Sequence, residues 1–394
     1  MNVTITPTKL SGTITPPASK SQAHRAVLAL ALSEGTGKLS NLSMSQDIRA
    51  TEECVAALKS GQPAGKDGLP VLDCGESGST LRFLIPVALA VRGGGCFTGR
   101  GRLMERPQGP YFDIFKEKGI FYEQISGILT VRGELPPGEY RLPGDVSSQF
   151  VTGLLYALPL LGGDSEIVLT SPLESMGYVD MTLDVLEKFG VRVENHNFER
   201  FFVPGGQKFT ARDLTIEADW SQAGFWYAAK SLDNPVEAAG LDPSSTQGDR
   251  VTADHYTQLA QPGDAEIDVS QCPDLVPPLA AMAAVRSGTT RIVNAARLRI
   301  KESDRLSAVT QVLNALGAEV EEYSDSLTIV GKPSLPGGVT VDSHNDHRIA
   351  MMAAIAATRC EQPVTITGAE CVAKSYPTFW EDYEMLSGQI VREG

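Results

Sequence analysis

The stretch DVSSQFVTGLLYALPLLGG, residues 145–163, opens on polar Asp145, Ser147, Ser148 and Gln149, turns apolar for the length of a helix, and stops at two glycines. A helix that is apolar nearly all round is a buried one. Its first four backbone N–H groups have no partner inside the helix, and Ser or Asp side chains at the start can accept from them. The same order recurs at SKSQAHRAVLALALSEG (19–35), GESGSTLRFLIPVALAVRGG (75–94), DWSQAGFWYAAKSL (219–232), DVSQCPDLVPPLAAMAAVRSG (268–288) and SHNDHRIAMMAAIAATR (343–359). The repeat is structural rather than literal, and six copies predict two groups of three.

Several copies are followed by a strand and then a second helix ending at Gly, as in YVDMTLDVLEKFGVRVE (178–194) and RLSAVTQVLNALGAEVE (305–321). Apolar residues at three- and four-residue spacing make these one-sided surface helices. The fold class expected is therefore α/β, with buried helices set among short strands. Each polar start, taken singly, reads as a cap. Six of them converging would place positive helix ends around one cleft, a natural site for phosphate or carboxylate.

Composition limits what such a site could serve. At 394 residues the chain has the length of two domains. A net charge of −14 speaks against a sequence-independent nucleic-acid binder, so any anionic ligand must be held by a local basic cluster. The six cysteines (54, 74, 96, 272, 360 and 371) are widely spaced, without C-x-x-C pairs, and are expected as reduced thiols of a cytoplasmic protein. The start MNVTITPTKLSG alternates like a strand and shows no export signal, and no apolar run is long enough to span a membrane. The H-x-x-H spacing of His344 and His347 lacks the context of a zinc site, and no metal or cofactor is expected.

The basic cluster is spread over several motifs. PPASKSQAHRA sets Lys20 and Ser21 in the opening turn of a helix with Arg25 one turn on, within reach of one anion. CGESGSTLRF offers a glycine-rich turn at Gly75 and Gly78 whose N–H groups can approach a phosphate, without the Lys-Ser/Thr ending of a nucleotide loop. In RLMERPQG, Arg106 precedes Pro107 and is expected extended, a fixed clamp for carboxylate or phosphate. Ser147, Ser148 and Gln149 supply neutral donors, to which Ser175 and Tyr178 of ESMGY could add. LRIKESDRL (298–306) packs Lys301, Glu302, Asp304 and Arg305 into five residues. It reads either as a capped, charged helix start or as cations for an anion with Glu302 left for proton transfer. Asp274 of QCPDLVPP is a second carboxylate, a base or an N-cap. SHNDHRIAMM adds His347 and Arg348 at a helix start, and AKSYPTFW adds Lys374.

In chain order, SKSQAHRA, GESGSTLR, ERPQG, SSQF, KESDR, NDHRIAM and AKSYP closely resemble the motif series of the 5-enolpyruvylshikimate-3-phosphate synthase family, from Lys20 to Lys374. The resemblance implies an enolpyruvyl-transferase fold of two similar domains, each of three β-α-β-α-β-β units with buried parallel helices. It places 1–17 with 219–394 in one discontinuous domain and 18–218 in the other, with the active site in the cleft between them. It further implies transfer of the enolpyruvyl group of phosphoenolpyruvate to the 5-hydroxyl of shikimate 3-phosphate, on the way to chorismate and aromatic amino acids. Shikimate 3-phosphate falls to Lys20, Ser21, Arg25, Ser147, Ser148, Gln149, Ser175, Tyr178, Asp274 and Lys301. Phosphoenolpyruvate falls to Lys20, Gly78, Arg106, Gln149, Arg305, Arg348 and Lys374. Catalysis falls to Asp274, Glu302, Lys20 and His347. A monomer without cofactor, open to glyphosate-like inhibitors, is expected.

Two departures stand out: Arg297 occupies a position where many members carry Asn, and Glu76-Ser77 replaces the usual Asn-Ala or Asn-Ser before Gly78. Two other readings compete. UDP-N-acetylglucosamine enolpyruvyl transferases resemble the same scheme but place a cysteine in a G-G-C loop close before R-P. Here Cys96 lies ten residues ahead of Arg106 and begins the strand-like CFTG. A non-catalytic metabolite-binding relative would have no need of both Asp274 and Glu302.

Overall fold

In the computed structural model, which describes residues 1–65 and 68–394, residues 71–132 show the repeating element complete. Strand Val71–Asp73 leads through helix Gly78–Arg92 to strand Gly94–Thr98, and helix Gly109–Lys118 then leads to the hairpin Phe121–Ile125 and Ile128–Arg132. The first two strands pair in parallel, Val71 opposite Cys96, which a helical crossover makes possible. The last strand joins antiparallel, Phe97 opposite Leu129, so the spatial order is first, second, fourth, third.

The same order is built from Gly138–Leu142, Ser165–Leu169, Glu194–His196 and Arg200–Val203, and again from Ala265–Asp268, Thr289–Val293, Glu319–Glu322 and Leu327–Val330. A fourth sheet repeats it with a borrowed strand. Asn2–Thr6 at the N-terminus lies between Val364–Thr367 and Gln389–Glu393, antiparallel to both. Two reduced copies have shorter pairings, Ser33–Glu34 with Phe209–Thr210 and Gly12–Ile14 with Val236–Ala238.

The chain divides into two units, Met1–Ser19 with Glu217–Gly394, and Lys20–Ile216. Each holds three of the six apolar helices and its own hydrophobic core. Val276–Ala284 and His347–Ala357 are buried at every position, whereas Met176–Lys188 buries one stripe, including Val179, Val185 and Leu186. The polar starts do act as caps at several copies. Ser77, Ser147, Asp219 and Asp346 accept from Thr80, Gln149, Gln222 and Arg348 N–H groups respectively. Capping and ligand binding are not alternatives here, because a cap satisfies one N–H and leaves others of the first turn pointing outward.

Candidate active site

In the unit Lys20–Ile216, three helix starts are tied together by side chains. Lys20, the first residue of helix Lys20–Leu32, places Nζ 2.9 Å from Oδ2 of Asp47, in the first turn of helix Gln46–Ser60. Arg25 is 2% exposed. Its Nε donates to Thr182 Oγ1 (2.8 Å), Nη1 to the Ser21 carbonyl (2.7 Å) and Nη2 to the Tyr178 carbonyl (2.9 Å). Burial brings its pKa down to about 10, with Tyr156 and Tyr178 acting the other way. Sequence spacing puts Lys20, Ser21 and Arg25 on one anion. The structure commits much of Arg25 to fixing the backbone of Ser21 and Tyr178, because helix Met176–Lys188 packs against it at that turn.

Gly78 begins the third of these helices, and a Cβ there would lie 2.6 Å from Arg106 Nη1 and 2.9 Å from its Cζ. The guanidinium therefore rests on the helix start. Arg106 is extended, φ −67° and ψ 138°, as expected before proline. Arg82 orders the neighbourhood: Nη1 donates to Gln149 Oε1 (2.7 Å), Nη2 to the Pro107 carbonyl (3.1 Å), and its guanidinium lies 4.9 Å over the Phe150 ring. Gln149 in turn donates from Nε2 to Ser79 Oγ (3.0 Å). Ser147 caps Gln149, and Ser148 is buried beside it. Ser175, at φ 59°, is buried in the left-handed region, an uncommon conformation for a side-chain-bearing residue.

In the other unit Asp274 is the hub. It stands in the turn Pro273–Leu275 ahead of helix Val276–Ala284. Lys301 Nζ (3.2 Å) and Arg305 Nη1 (3.0 Å) meet its Oδ1, and Arg348 Nη2 meets Oδ2 (3.2 Å). Arg305, 1% exposed at the start of helix Arg305–Leu316, also meets Glu302 Oε2 (2.6 Å) and Asp346 Oδ2 (2.9 Å). Burial works against its charge, yet Asp346, Glu302 and Asp274 together raise its pKa. Lys301 goes the other way: burial lowers its pKa although Asp274 opposes the shift. KESDR is a capped helix start, with Asp304 accepting from Ser307 N–H, and Lys301, Glu302 and Arg305 face Asp274 or one another.

His347 and Arg348 do begin helix His347–Ala357, with His347 Nδ1 4.0 Å from Asp346 Oδ1. Lys374 ends the turn Ala369–Lys374 and donates from Nζ to the Asn345 carbonyl (2.7 Å). Arg297 bonds the Ser270 carbonyl through Nη2. Three participants escape sequence reasoning. Asp346 is fully buried, caps Arg348 N–H and carries Arg305. Asp47 pairs with Lys20. Asp249, 3% exposed in the turn Gly248–Val251, is pushed up to about 6 by burial and by Asp274, with Arg348 opposing. The D of NDHR was the one available signal, since an Asp directly before a buried helix reads as a cap.

A family model described as EPSP synthase (3-phosphoshikimate 1-carboxyvinyltransferase) matches residues 5–383. The chain belongs to the EPSP synthase family. It is 48% identical to the 3-phosphoshikimate 1-carboxyvinyltransferase of Clostridium kluyveri, over 98% of each chain. It is 47% identical to that of Clostridium acetobutylicum, again over 98% of each. Among solved structures, an EPSP synthase from Acinetobacter baumannii superimposes with a TM-score of 0.78 at 24% identity, over 99% of this chain and all of that one. The enolpyruvyl transferase NikO from Streptomyces tendae gives 0.76 at 17%, over 99% and 98%. These likenesses show the two-domain α/β fold of enolpyruvyl transferases. The UDP-N-acetylglucosamine transferase reading, with its loop cysteine, is not favoured: Cys96 is 4% exposed inside strand Gly94–Thr98.

Proposed function

We propose that the residues of the two clusters hold the two substrates of the EPSP synthase reaction as the motif series implies. The chain is a 3-phosphoshikimate 1-carboxyvinyltransferase of the shikimate pathway, moving the enolpyruvyl group of phosphoenolpyruvate onto the 5-hydroxyl of shikimate 3-phosphate with release of phosphate. The observation supporting the assignment is the convergence of Lys301, Arg305 and Arg348 on Asp274.

In this reading Asp274 accepts the proton of the 5-hydroxyl while Glu302 delivers one to the methylene carbon of phosphoenolpyruvate, with Lys20 and His347 as further proton carriers. The hydroxyl oxygen bonds to carbon 2, giving a tetrahedral intermediate. Loss of a proton from the new methyl group and cleavage of the carbon–oxygen bond to phosphate restore the enol ether. Fixed cations stabilise charge on the departing phosphate without reorganising. Lys20, Ser21, Arg25, Ser147, Ser148, Gln149, Ser175, Tyr178, Asp274 and Lys301 hold shikimate 3-phosphate. Lys20, Gly78, Arg106, Gln149, Arg305, Arg348 and Lys374 hold phosphoenolpyruvate. Anionic substrates drawing on Lys301, Arg305 and Arg348 compete with Asp274 for those cations, which favours a proton on its carboxylate.

Glyphosate-like inhibitors would take the phosphoenolpyruvate positions, and a cytoplasmic monomer is the working form proposed. The test is Asp274→Ala. A lost general base lowers kcat by about 100- to 10,000-fold, with the far-ultraviolet dichroism of the native protein retained. Near-native turnover in this variant would remove Asp274 from the role.

A further inference from the structure

Beneath the Gly78 helix start runs a chain of buried polar groups that the reaction does not use. His24 Nδ1 lies 2.7 Å from Thr51 Oγ1, Thr51 Oγ1 lies 2.6 Å from Thr80 Oγ1, and Thr80 Oγ1 donates to Ser77 Oγ at 2.7 Å. Ser77 Oγ also accepts from Thr80 N–H at 3.2 Å, which is the cap of helix Gly78–Arg92. All four residues are at most 1% exposed, and they come from three helices and one cap.

Each hydroxyl has one proton, so the direction of the chain can be counted. Thr80 spends its proton on Ser77 and must accept from Thr51. Thr51 thereby spends its own proton and must accept from His24. The 3.2 Å contact from Thr51 Oγ1 to the Asp47 carbonyl is the longer alternative. His24 is then the neutral ring with hydrogen on Nδ1. Burial, and after it Lys20 and Arg25, keep its pKa well below the usual histidine range, which suits this role. A run of bonds in one direction, shielded from water, is mutually reinforcing.

We propose that His24, Thr51 and Thr80 are positioning residues, a buried relay that locks the Ser77 cap and thereby holds the Gly78 turn against Arg106 for the anion bound there. The proposal rests on the assignment of Gly78 and Arg106 to phosphoenolpyruvate. The relay joins two parts of the site. Its His24 end lies on the helix that carries Lys20 and Arg25, and its Ser77 end abuts the Arg106 seat. Only a hydroxyl or similar acceptor at 77 can receive the Thr80 proton.

The test compares Thr80→Val, Thr80→Ser, His24→Leu and Arg106→Ala by steady-state kinetics with both substrates, alongside thermal melting. Loss of a buried hydrogen bond in the relay raises KM for phosphoenolpyruvate by about five- to tenfold in Thr80→Val and His24→Leu. Values of kcat and KM for shikimate 3-phosphate stay within about twofold of the native enzyme, and Thr80→Ser restores native behaviour. Thr51→Val combined with Thr80→Val is no worse than either alone, because one chain is broken once or twice with the same result. Should Thr80→Val fail to fold, Thr51→Val takes its place. If Arg106→Ala raises KM for phosphoenolpyruvate while the relay variants do not, the relay is overturned and the substrate assignment stands. If Arg106→Ala leaves that KM unchanged, the assignment falls and the relay's proposed purpose with it. A uniform fall in kcat and both affinities, in step with the melting point, would make the relay merely structural and also overturn the proposal.

Discussion

At Gly78 a single hydrogen atom decides whether Arg106 can lie on a helix start, since an added Cβ would stand 2.6 Å from Nη1. Backbone φ is not the obstacle; the neighbouring guanidinium is. Gly78→Ala should therefore displace Arg106 and raise KM for phosphoenolpyruvate by about tenfold or more, the cost of one charge-assisted hydrogen bond, while KM for shikimate 3-phosphate changes little. Initial-rate measurements with each substrate varied will show it, and an unchanged KM for phosphoenolpyruvate would dissociate Gly78 from that ligand. Asp249 makes a different kind of prediction. Its folded pKa, about 6, lies above the ordinary aspartate value, so the folded protein holds this proton more tightly than the unfolded chain. The associated stability is complete below about pH 4 and is lost as pH rises through about 6. Asp249→Asn carries no such loss, so its melting temperature relative to the native protein should climb between pH 4 and pH 7. A difference that stays flat across that range would contradict the assigned burial. Nothing in the stretch QGDRV marks Asp249 in the sequence, because its meaning comes from Asp274 and Arg348, which are distant in the chain and adjacent only after folding.

At the scale of elements, the helices were legible and the shortest strands were not. Apolar residues on all faces mark Val276–Ala284 and His347–Ala357 as buried, and a one-sided stripe marks Arg305–Leu316. Strands of two residues such as Ser33–Glu34 and Leu39–Ser40 carry no period to read, and their partners Phe209–Thr210 and Leu214–Thr215 lie far along the chain. The cations of the site were legible because Lys and Arg are conspicuous at apolar helix starts. Their organising carboxylates were less so, since an Asp at such a start reads first as a cap. Asp346 is both: it caps helix His347–Ala357 and takes Arg305 through Nε and Nη2. Asp346→Ala leaves a fully buried guanidinium short of its principal partner, at a cost of about 3–5 kcal/mol. Chemical denaturation should show a loss of that size in the unit Met1–Ser19 with Glu217–Gly394. A loss below about 1 kcal/mol, the worth of an ordinary cap alone, would mean that Arg305 is held by Glu302 and Asp274 without it.

The whole molecule carries a net charge of −14, yet its motif positions collect Lys20, Arg106, Lys301, Arg305, Arg348 and Lys374. Two units repeat one β-α-β-α-β-β plan, and in one of them the chain's first strand, Asn2–Thr6, completes a sheet whose other strands lie beyond residue 339. That borrowed strand explains why an N-terminal segment belongs with the C-terminal half, a connection no local pattern in MNVTITPTKLSG discloses. Among the described residues no helix is long and apolar enough to cross a membrane. The central claim is a transfer reaction between two particular anions, and phosphate release tests it most directly. With phosphoenolpyruvate present, shikimate 3-phosphate should elicit stoichiometric phosphate, while UDP-N-acetylglucosamine should elicit none. Phosphate release with the nucleotide sugar but not with shikimate 3-phosphate, or no release with either acceptor, would contradict the account.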